Sequence, residues 1–366
     1  LILLLLVLAL SACSSETPEA SPTIPEDLAS ATPFLPSATG TFTPSPTVTE
    51  APLPTPTNTP TPLPVEYGPD NFPAQVNPLT GLAVADPQLL ERRPVAVKVQ
   101  IYPRFGRPVF GMNKADLVYE FYQNNGISRL HAIFYGQDAE KVGPIRSGRF
   151  IDVQLVPMYQ GILAMVSAWA PIYSELVDTL GSRLFGGGAD TCPAVCDDGK
   201  HTVYSIFANT AELSKLYGER SITDNARKNL DGMVFDTNPP AGGVDGREFK
   251  MEFDSGNIAE WKYDPLTGKY LRWIESVEVV DGKDVVSMIP LVDRNTGDQL
   301  AFSNVVILLS EITTLNGDDT AHRYGISQIE GRAIVFRDGQ KYNILYQTTK
   351  YAPIRFYDLE RNPFPL

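Results

Sequence analysis

Between Pro94 and Leu230 the apolar positions recur with two different periods. Val95, Val97, Val99 and Ile101 fall on every second residue, so 94–101 is predicted to be a strand. Leu117–Tyr122 and Arg129–Tyr135 read the same way, and the Asn124-Asn125-Gly126 between them predicts a hairpin turn. Gly161–Val166 is a continuous apolar run and predicts a buried strand. Helical spacing is found over Phe150–Met158, Ile172–Leu180, Ala211–Tyr217 and Thr223–Leu230. Strands and helices mixed in this order predict an α/β (or α+β) N-terminal domain over 72–232.

Past the Pro/Gly-rich stretch 239–246, the expected linker, helix periodicity becomes scarce. Short alternating runs follow at Phe249–Phe253, Ala259–Tyr263, Lys269–Trp273, Val285–Ile289, Val305–Leu309 and Ala333–Phe336, and Asp338-Gly339 reads as a hairpin turn. A smaller, mostly-β C-terminal domain is expected over 245–366. The chain's last residues, Asn362–Leu366, offer no closing element, so this domain is expected to be truncated.

The first 70 residues follow a different logic. Leu1–Leu10 are all apolar. That run is short of the roughly 20 residues a spanning helix needs, but it suits the apolar part of a secretory signal. It leads into Leu10-Ser11-Ala12-Cys13, which looks like a bacterial lipobox. Residues 1–12 are therefore expected to be a truncated lipoprotein signal and Cys13 the lipid attachment site. Two or more acyl chains, at about 0.8 kcal/mol per buried CH₂, hold a protein at a membrane without any spanning helix. Residues 13–70 are dominated by Ser-Pro, Thr-Pro and Pro-Thr pairs. They are too poor in apolar side chains to offset ordering entropy, and a disordered, extended stalk is predicted. At ~3.1 Å per residue such a stalk reaches on the order of 150 Å.

Charge narrows the partners. The net charge is −13, and no Lys or Arg precedes Arg92. An acidic chain without a basic run is not built to displace counterions from nucleic acid. The expected partners are a membrane, through the lipid, and a cell-wall polymer or an envelope protein. No P-loop, His-Glu-x-x-His, Gly-x-Ser-x-Gly or Gly-x-Gly-x-x-Gly pattern occurs, and the three histidines are far apart, so no cofactor and no metal are expected. His131, inside an apolar strand, reads as a structural residue. Cys192 and Cys196 form a C-x₃-C pair in a Gly-rich loop; in an exported protein such a pair favours a disulfide, with free thiols or metal and redox use as the alternatives.

Candidate chemistry gathers in a few segments. Asp116 and Glu120 share a face in a strand, but their Cα atoms would stand about 13 Å apart. Glycosidase carboxyl pairs need roughly 5 to 9.5 Å, so a polar face opposite Arg partners is the plainer reading. In Gly143-Pro144-Ile145-Arg146-Ser147-Gly148-Arg149 a helix is expected to start near Ser147 as N-cap. Arg146 and Arg149, with Arg129 added, could clamp a carboxylate or phosphate beside that helix N-terminus. Alternatively these arginines pair internally with Asp116, Glu120 or Asp152.

Six segments stand in order: Asn77–Leu82, Arg93–Val97, Arg107-Pro108, Ala115–Glu120, Gly126–Leu130 and Val142–Arg149. Together they resemble the YerB-type lipoprotein family, a domain of unknown function (DUF3048). Tyr263-Asp264, Lys269–Trp273 and Asn304–Val306 resemble its C-terminal domain. The resemblance implies a two-domain bacterial cell-surface lipoprotein and brings no established activity or site residues. The chain departs from the family pattern at Ser167–Pro171, where a Gly-rich turn is expected, and at Lys200–Tyr204. His201 and Tyr204 of that second segment join Arg129, Arg146, Arg149, Asp116 and Glu120 as candidate ligand-binding residues.

The function expected is a membrane-anchored extracytoplasmic lipoprotein that binds or scaffolds an anionic envelope ligand. One alternative is a cell-envelope enzyme acting on phosphorylated or glycan polymers. The acidic strand followed by an Arg-rich turn distantly resembles the LytR-CpsA-Psr phosphotransferases, and that reading needs Asp116 in one cleft with the arginines. The other alternative is a structural partner in an envelope complex.

Overall fold

Val95, Val97 and Val99 point to one side of a strand and Ala96, Lys98 and Gln100 to the other, yet all six are buried. That strand, β1 (Val95–Gln100), lies inside a sheet covered on both faces. The computed structural model describes residues 66–366, apart from 203, 222–223, 255, 316 and 328–329. The signal segment, Cys13 and the predicted stalk up to residue 65 lie outside the described residues.

β2 (Leu117–Asn124) and β3 (Ile127–Phe134) form the expected hairpin. Its turn residues Asn125 and Gly126 have φ of 47° and 71°, the left-handed pair that matches strand twist. β3 then pairs antiparallel with β1. Helix α1 (Phe150–Met158) coincides with the predicted run, and α2 (Ala170–Leu180) starts two residues earlier than expected, with Pro171 in its first turn. Between them β4 (Ile162–Ala164) pairs parallel with β1, and after α2 the short β5 (Leu184–Phe185) pairs parallel with β4. The sheet order is β2-β3-β1-β4-β5. α3 (Thr210–Arg220) follows, capped by Asn209, whose side chain accepts from the Glu212 N–H at 3.1 Å.

Two local expectations are corrected. Asp224–Leu230 is a loop instead of a helix, and Thr223 lies outside the described residues. Asp224 and Asn225 spend their side chains on tertiary bonds. Asp224 takes the Arg93 guanidinium at 2.5 Å, while Asn225 accepts from Arg93 N (3.1 Å) and donates to Ser214 O (2.8 Å). Such bonds compete with helical backbone geometry. Ser147 is not the N-cap of α1. Arg149 holds that position, and its N–H donates to Asp152 Oδ2 at 2.6 Å.

The C-terminal half is β-rich. β6 (Glu248–Asp254), β7 (Asn257–Asp264), β8 (Lys269–Val280) and β9 (Lys283–Pro290) run as an antiparallel meander. After β10 (Asn304–Leu309) comes a separate hairpin of β11 (Ile312–Leu315) and β12 (Asp318–Tyr324). β13 (Glu330–Arg337) and β14 (Gln340–Thr349), joined by the predicted Asp338-Gly339 turn, pair with each other; β13 also pairs with β10, and β14 with β15 (Ala352–Tyr357). Val244–Asp245, in the stretch read as a linker, pairs with β14 and so is tied into this sheet. Strands outweigh helices throughout. The α/β character expected of the N-terminal half is confined to the β4–α2–β5 unit with α1 and α3.

Apolar clusters cross between the halves. Val95, Val97, Val99, Leu130 and Ala132 share a core with Ile274, Leu291 and Leu300. The buried Glu275 carboxylate accepts from Arg107 (2.9 Å), Tyr102 (3.1 Å) and Ile258 N (3.1 Å). The described residues belong to one compact unit.

Candidate functional site

The second face of the central sheet is polar where a core would be apolar. Across β1 and β3, Lys98 stands opposite His131 and Gln100 opposite Arg129; β2 sets Tyr119 beside His131 and Phe121 beside Arg129. Side chains opposite one another on neighbouring strands share a face, so these six form one patch. Lys98 Nζ sits 4.1 Å from the centre of the Phe121 ring.

The segment before α1 brings further cations to this patch. Arg146 N donates to Lys98 O at 3.0 Å, and Arg146 O accepts from Val166 N at 3.2 Å, which threads the segment between β1 and the end of β4. Gly148 then passes so close to Met165 and Leu176 that a Cβ would meet them at 2.6 and 2.7 Å. A larger residue would have to push aside the ends of the buried Met165 and Leu176 side chains, and the turn into α1 delivers Arg149. On the far side β12 covers the patch. Gln154 of α1 donates to Tyr324 O (2.9 Å), the Tyr324 hydroxyl bonds Tyr122 O, and Arg323 forms a two-pronged ion pair with Glu175 (2.7 and 3.1 Å).

At the centre is Asp152, fully buried on α1. One carboxylate oxygen meets Lys98 Nζ at 2.9 Å and His131 Nδ1 at 2.7 Å, and the other takes the Arg149 N–H. Burial works to raise its pKa, but Lys98, His131 and that N–H outweigh it and hold the carboxyl down at about 2. Burial pushes Lys98 down to about 8 despite Asp152, and it lowers His131, which is therefore neutral. Arg129 is only 5% exposed. Its Nε is buried without a hydrogen-bond partner, and among the described residues no carboxylate reaches ion-pair distance of it. Burial first, then Arg149 and Arg146, push it down to about 9, a measure of how unfavourable its charge is there. Arg149 donates to Ser147 O (3.4 Å) and Gly148 O (2.8 Å), and its Nε is also buried without a partner. Lys98, Arg129 and Arg149 thus all act on one carboxylate, and Arg146 adds its charge beside the two arginines.

Tyr204 joins this group: the Arg146 guanidinium lies 4.3 Å from its ring centre, and exposed Phe105 packs edge-on against it at 4.7 Å. The other predicted residues lie elsewhere. Asp116 accepts from Asn77 (2.8 Å), Tyr135 N (2.5 Å) and Gly136 N (2.9 Å), five strand positions and so about 17 Å from Arg129. Glu120 points to the opposite face, bonded to Ser128 (2.7 Å) and paired with Arg272 (2.9 Å). His201 is exposed at φ 53°, its N–H on Asp197 Oδ1 at 3.1 Å. Cys192 and Cys196 are joined, with Cα atoms 5.1 Å apart. Lys98, Gln100 and Asp152 went unrecognised as site residues. The signal was available: two charged or amide residues at period two in each of two pairing apolar strands.

Burial raises the Asp116 carboxyl to about 6 against the N–H groups and Arg92 that oppose the shift. A carboxyl raised above its unfolded value of about 3.8 costs stability once ionised, so this group's contribution falls as pH climbs from about 4 to 6. Asp116→Asn is expected to remove that slope in urea unfolding measured across pH 4–7; an unchanged slope would contradict the assignment.

Two family models match the chain. Those described as "Protein of unknown function (DUF3048)", N-terminal and C-terminal domain, cover residues 79–223 and 249–366. The chain belongs to the DUF3048 family. It is 26% identical over 254 residues to "Putative lipoprotein YerB" of Bacillus subtilis, spanning 66% of this chain and 69% of that protein. The crystal structure of YerB protein from Bacillus subtilis superposes with a TM-score of 0.64 at 23% identity, covering 79% of this chain and 93% of that chain, so the two share a fold. The DUF3048 segments Gly126–Leu130 and Val142–Arg149 carry Arg129, Arg146 and Arg149. Ser167–Pro171 and Lys200–Tyr204, the two segments expected to differ from the family pattern, border the cluster. Ser167 O accepts from Gly148 N at 2.7 Å, and Tyr204 lies against Arg146.

Proposed function

We propose that this chain is an extracytoplasmic lipoprotein, lipidated at Cys13 and tethered by the Pro/Thr/Ser-rich segment over 13–70, whose folded part binds an anionic envelope ligand at Arg129, Arg146 and Arg149. The observation that carries the reading is Arg129: a guanidinium kept buried, beside two more, with no carboxylate at ion-pair distance among the described residues. An uncompensated buried charge costs several kcal/mol, and an anion arriving from outside offsets that cost. The Bacillus subtilis relative carries the description "Putative lipoprotein YerB", in keeping with the lipobox-like Leu10–Cys13.

Arg146 and Arg149 are half-buried and reachable. Changing both to Ala is expected to abolish retention of the protein on purified anionic wall polymer, with circular dichroism unchanged. Retention equal to wild type would refute the reading and favour a structural partner in an envelope complex, to be sought by pull-down from a membrane fraction. The phosphotransferase alternative is disfavoured, because its acid, Asp116, is saturated with internal hydrogen bonds some 17 Å away.

A further inference from the structure

We infer that the Arg129 site takes a dianionic phosphoryl group accompanied by one O–H donor: hydrogen phosphate itself, or a phosphate monoester with a neighbouring sugar hydroxyl. This rests on the anion-binding reading above and narrows it.

Charge is the first argument. Among the described residues Lys98, Arg129 and Arg149 against Asp152 leave two positive charges in excess, and His131 is neutral. A carboxylate answers one of them. A phosphoryl group brings close to two at neutral pH.

The hydrogen-bond inventory is the second. Arg129 Nε, Arg149 Nε and Gln100 Nε2 are buried donors without a partner among the described residues. Three donors suit the three terminal oxygens of a phosphoryl group better than the two of a carboxylate. Two buried acceptors, Gln100 Oε1 and His131 Nε2, have the opposite need, and the histidine's is fixed by its tautomer. Asp152 is ionised and can only accept, so His131 Nδ1 carries the hydrogen of their 2.7 Å bond, and Nε2 is left an acceptor. That Nε2 is buried and has no partner either. It lies on the same strand face as Arg129, two residues along. An anion made only of acceptors would seal it off unsatisfied. Hydrogen phosphate keeps one P–OH to give it, and a sugar monoester has a hydroxyl beside its phosphate. Sulfate and methyl phosphate, as dianions, have neither.

Burial is the third. With Arg129 only 5% exposed beneath α1 and β12, a phosphate inside a polymer backbone would need room for two exits, whereas a terminal one needs a single exit.

Calorimetric titration of the full chain at pH 7.5 and constant ionic strength tests this with five probes: inorganic phosphate, glucose 1-phosphate, methyl phosphate, sulfate and acetate. The expected result is that inorganic phosphate or glucose 1-phosphate binds at least tenfold more tightly than the other three. Preference between those two identifies a free ion or a sugar ester as the source. His131→Phe should bring phosphate and sulfate to parity; should that variant not fold, the wild-type selectivity decides alone. Sulfate, methyl phosphate or acetate matching both hydroxyl-bearing probes overturns the inference and leaves an anion site standing. Failure of all five to bind overturns the anion site as well.

Discussion

Arg129→Met is expected to make the protein more stable and to abolish anion binding. Met fills much of the space of the arginine stem and sets a sulfur beside Phe121, the residue opposite on β2. What disappears is a guanidinium that burial and its two arginine neighbours disfavour. Replacing whole buried ionic groups by apolar side chains ranges from neutral to a gain of about 1–4 kcal/mol, a large share at its upper end of the roughly 5–15 kcal/mol that holds a domain folded. Urea unfolding gives the stability and anion titration the function. A variant less stable than wild type would mean that the guanidinium is already satisfied within the fold.

Asp152→Asn carries the largest expected loss. Its carboxylate neutralises Lys98, orients His131 and caps α1 through the Arg149 N–H. Lys98 and His131 are both fully buried, so the amide leaves an ammonium stranded among cations. Breaking one partner of a buried pair costs about 3–5 kcal/mol, and the variant should sit near the edge of unfolding. The pH dependence gives a second handle. In wild type the Asp152 carboxyl is held at about 2 against an unfolded 3.8, so its contribution is complete above pH 4 and is lost as pH falls towards 2. Lys98, pushed down to about 8 from 10.5, acts the other way: its burial costs stability below pH 8, and the cost is relieved between 8 and 10.5. Without Asp152 the ammonium sheds its proton sooner, so Asp152→Asn should be less damaging at pH 9 than at pH 6. Equal damage at both would locate the loss in the helix cap.

Much of this architecture is written in local patterns. The Asn125-Gly126 and Asp338-Gly339 turns, α1 and every β run singled out in the C-terminal half follow from periodicity and turn chemistry. The failures share a cause. Asp224 and Asn225 lie in a helix-like run, but Arg93 and Ser214, remote in sequence, claim their side chains. The arginines were legible as a cationic segment. Their convergence with Lys98 and Asp152 was not, because it depends on the register of β1 against β3 and on β12 arriving from the other half. Alternation along β1 suggests one wet face; only the assembled structure reveals that both are dry.

The valine face of β1 has a consequence for biosynthesis. Val97 and Val99 are complete only once Leu291 and Leu300 have been made, about 200 residues later. At roughly 5–20 residues per second that interval is on the order of 10–40 s. Throughout it the chain carries an unfinished apolar sheet, so the N-terminal half cannot complete its core before the C-terminal half has been made.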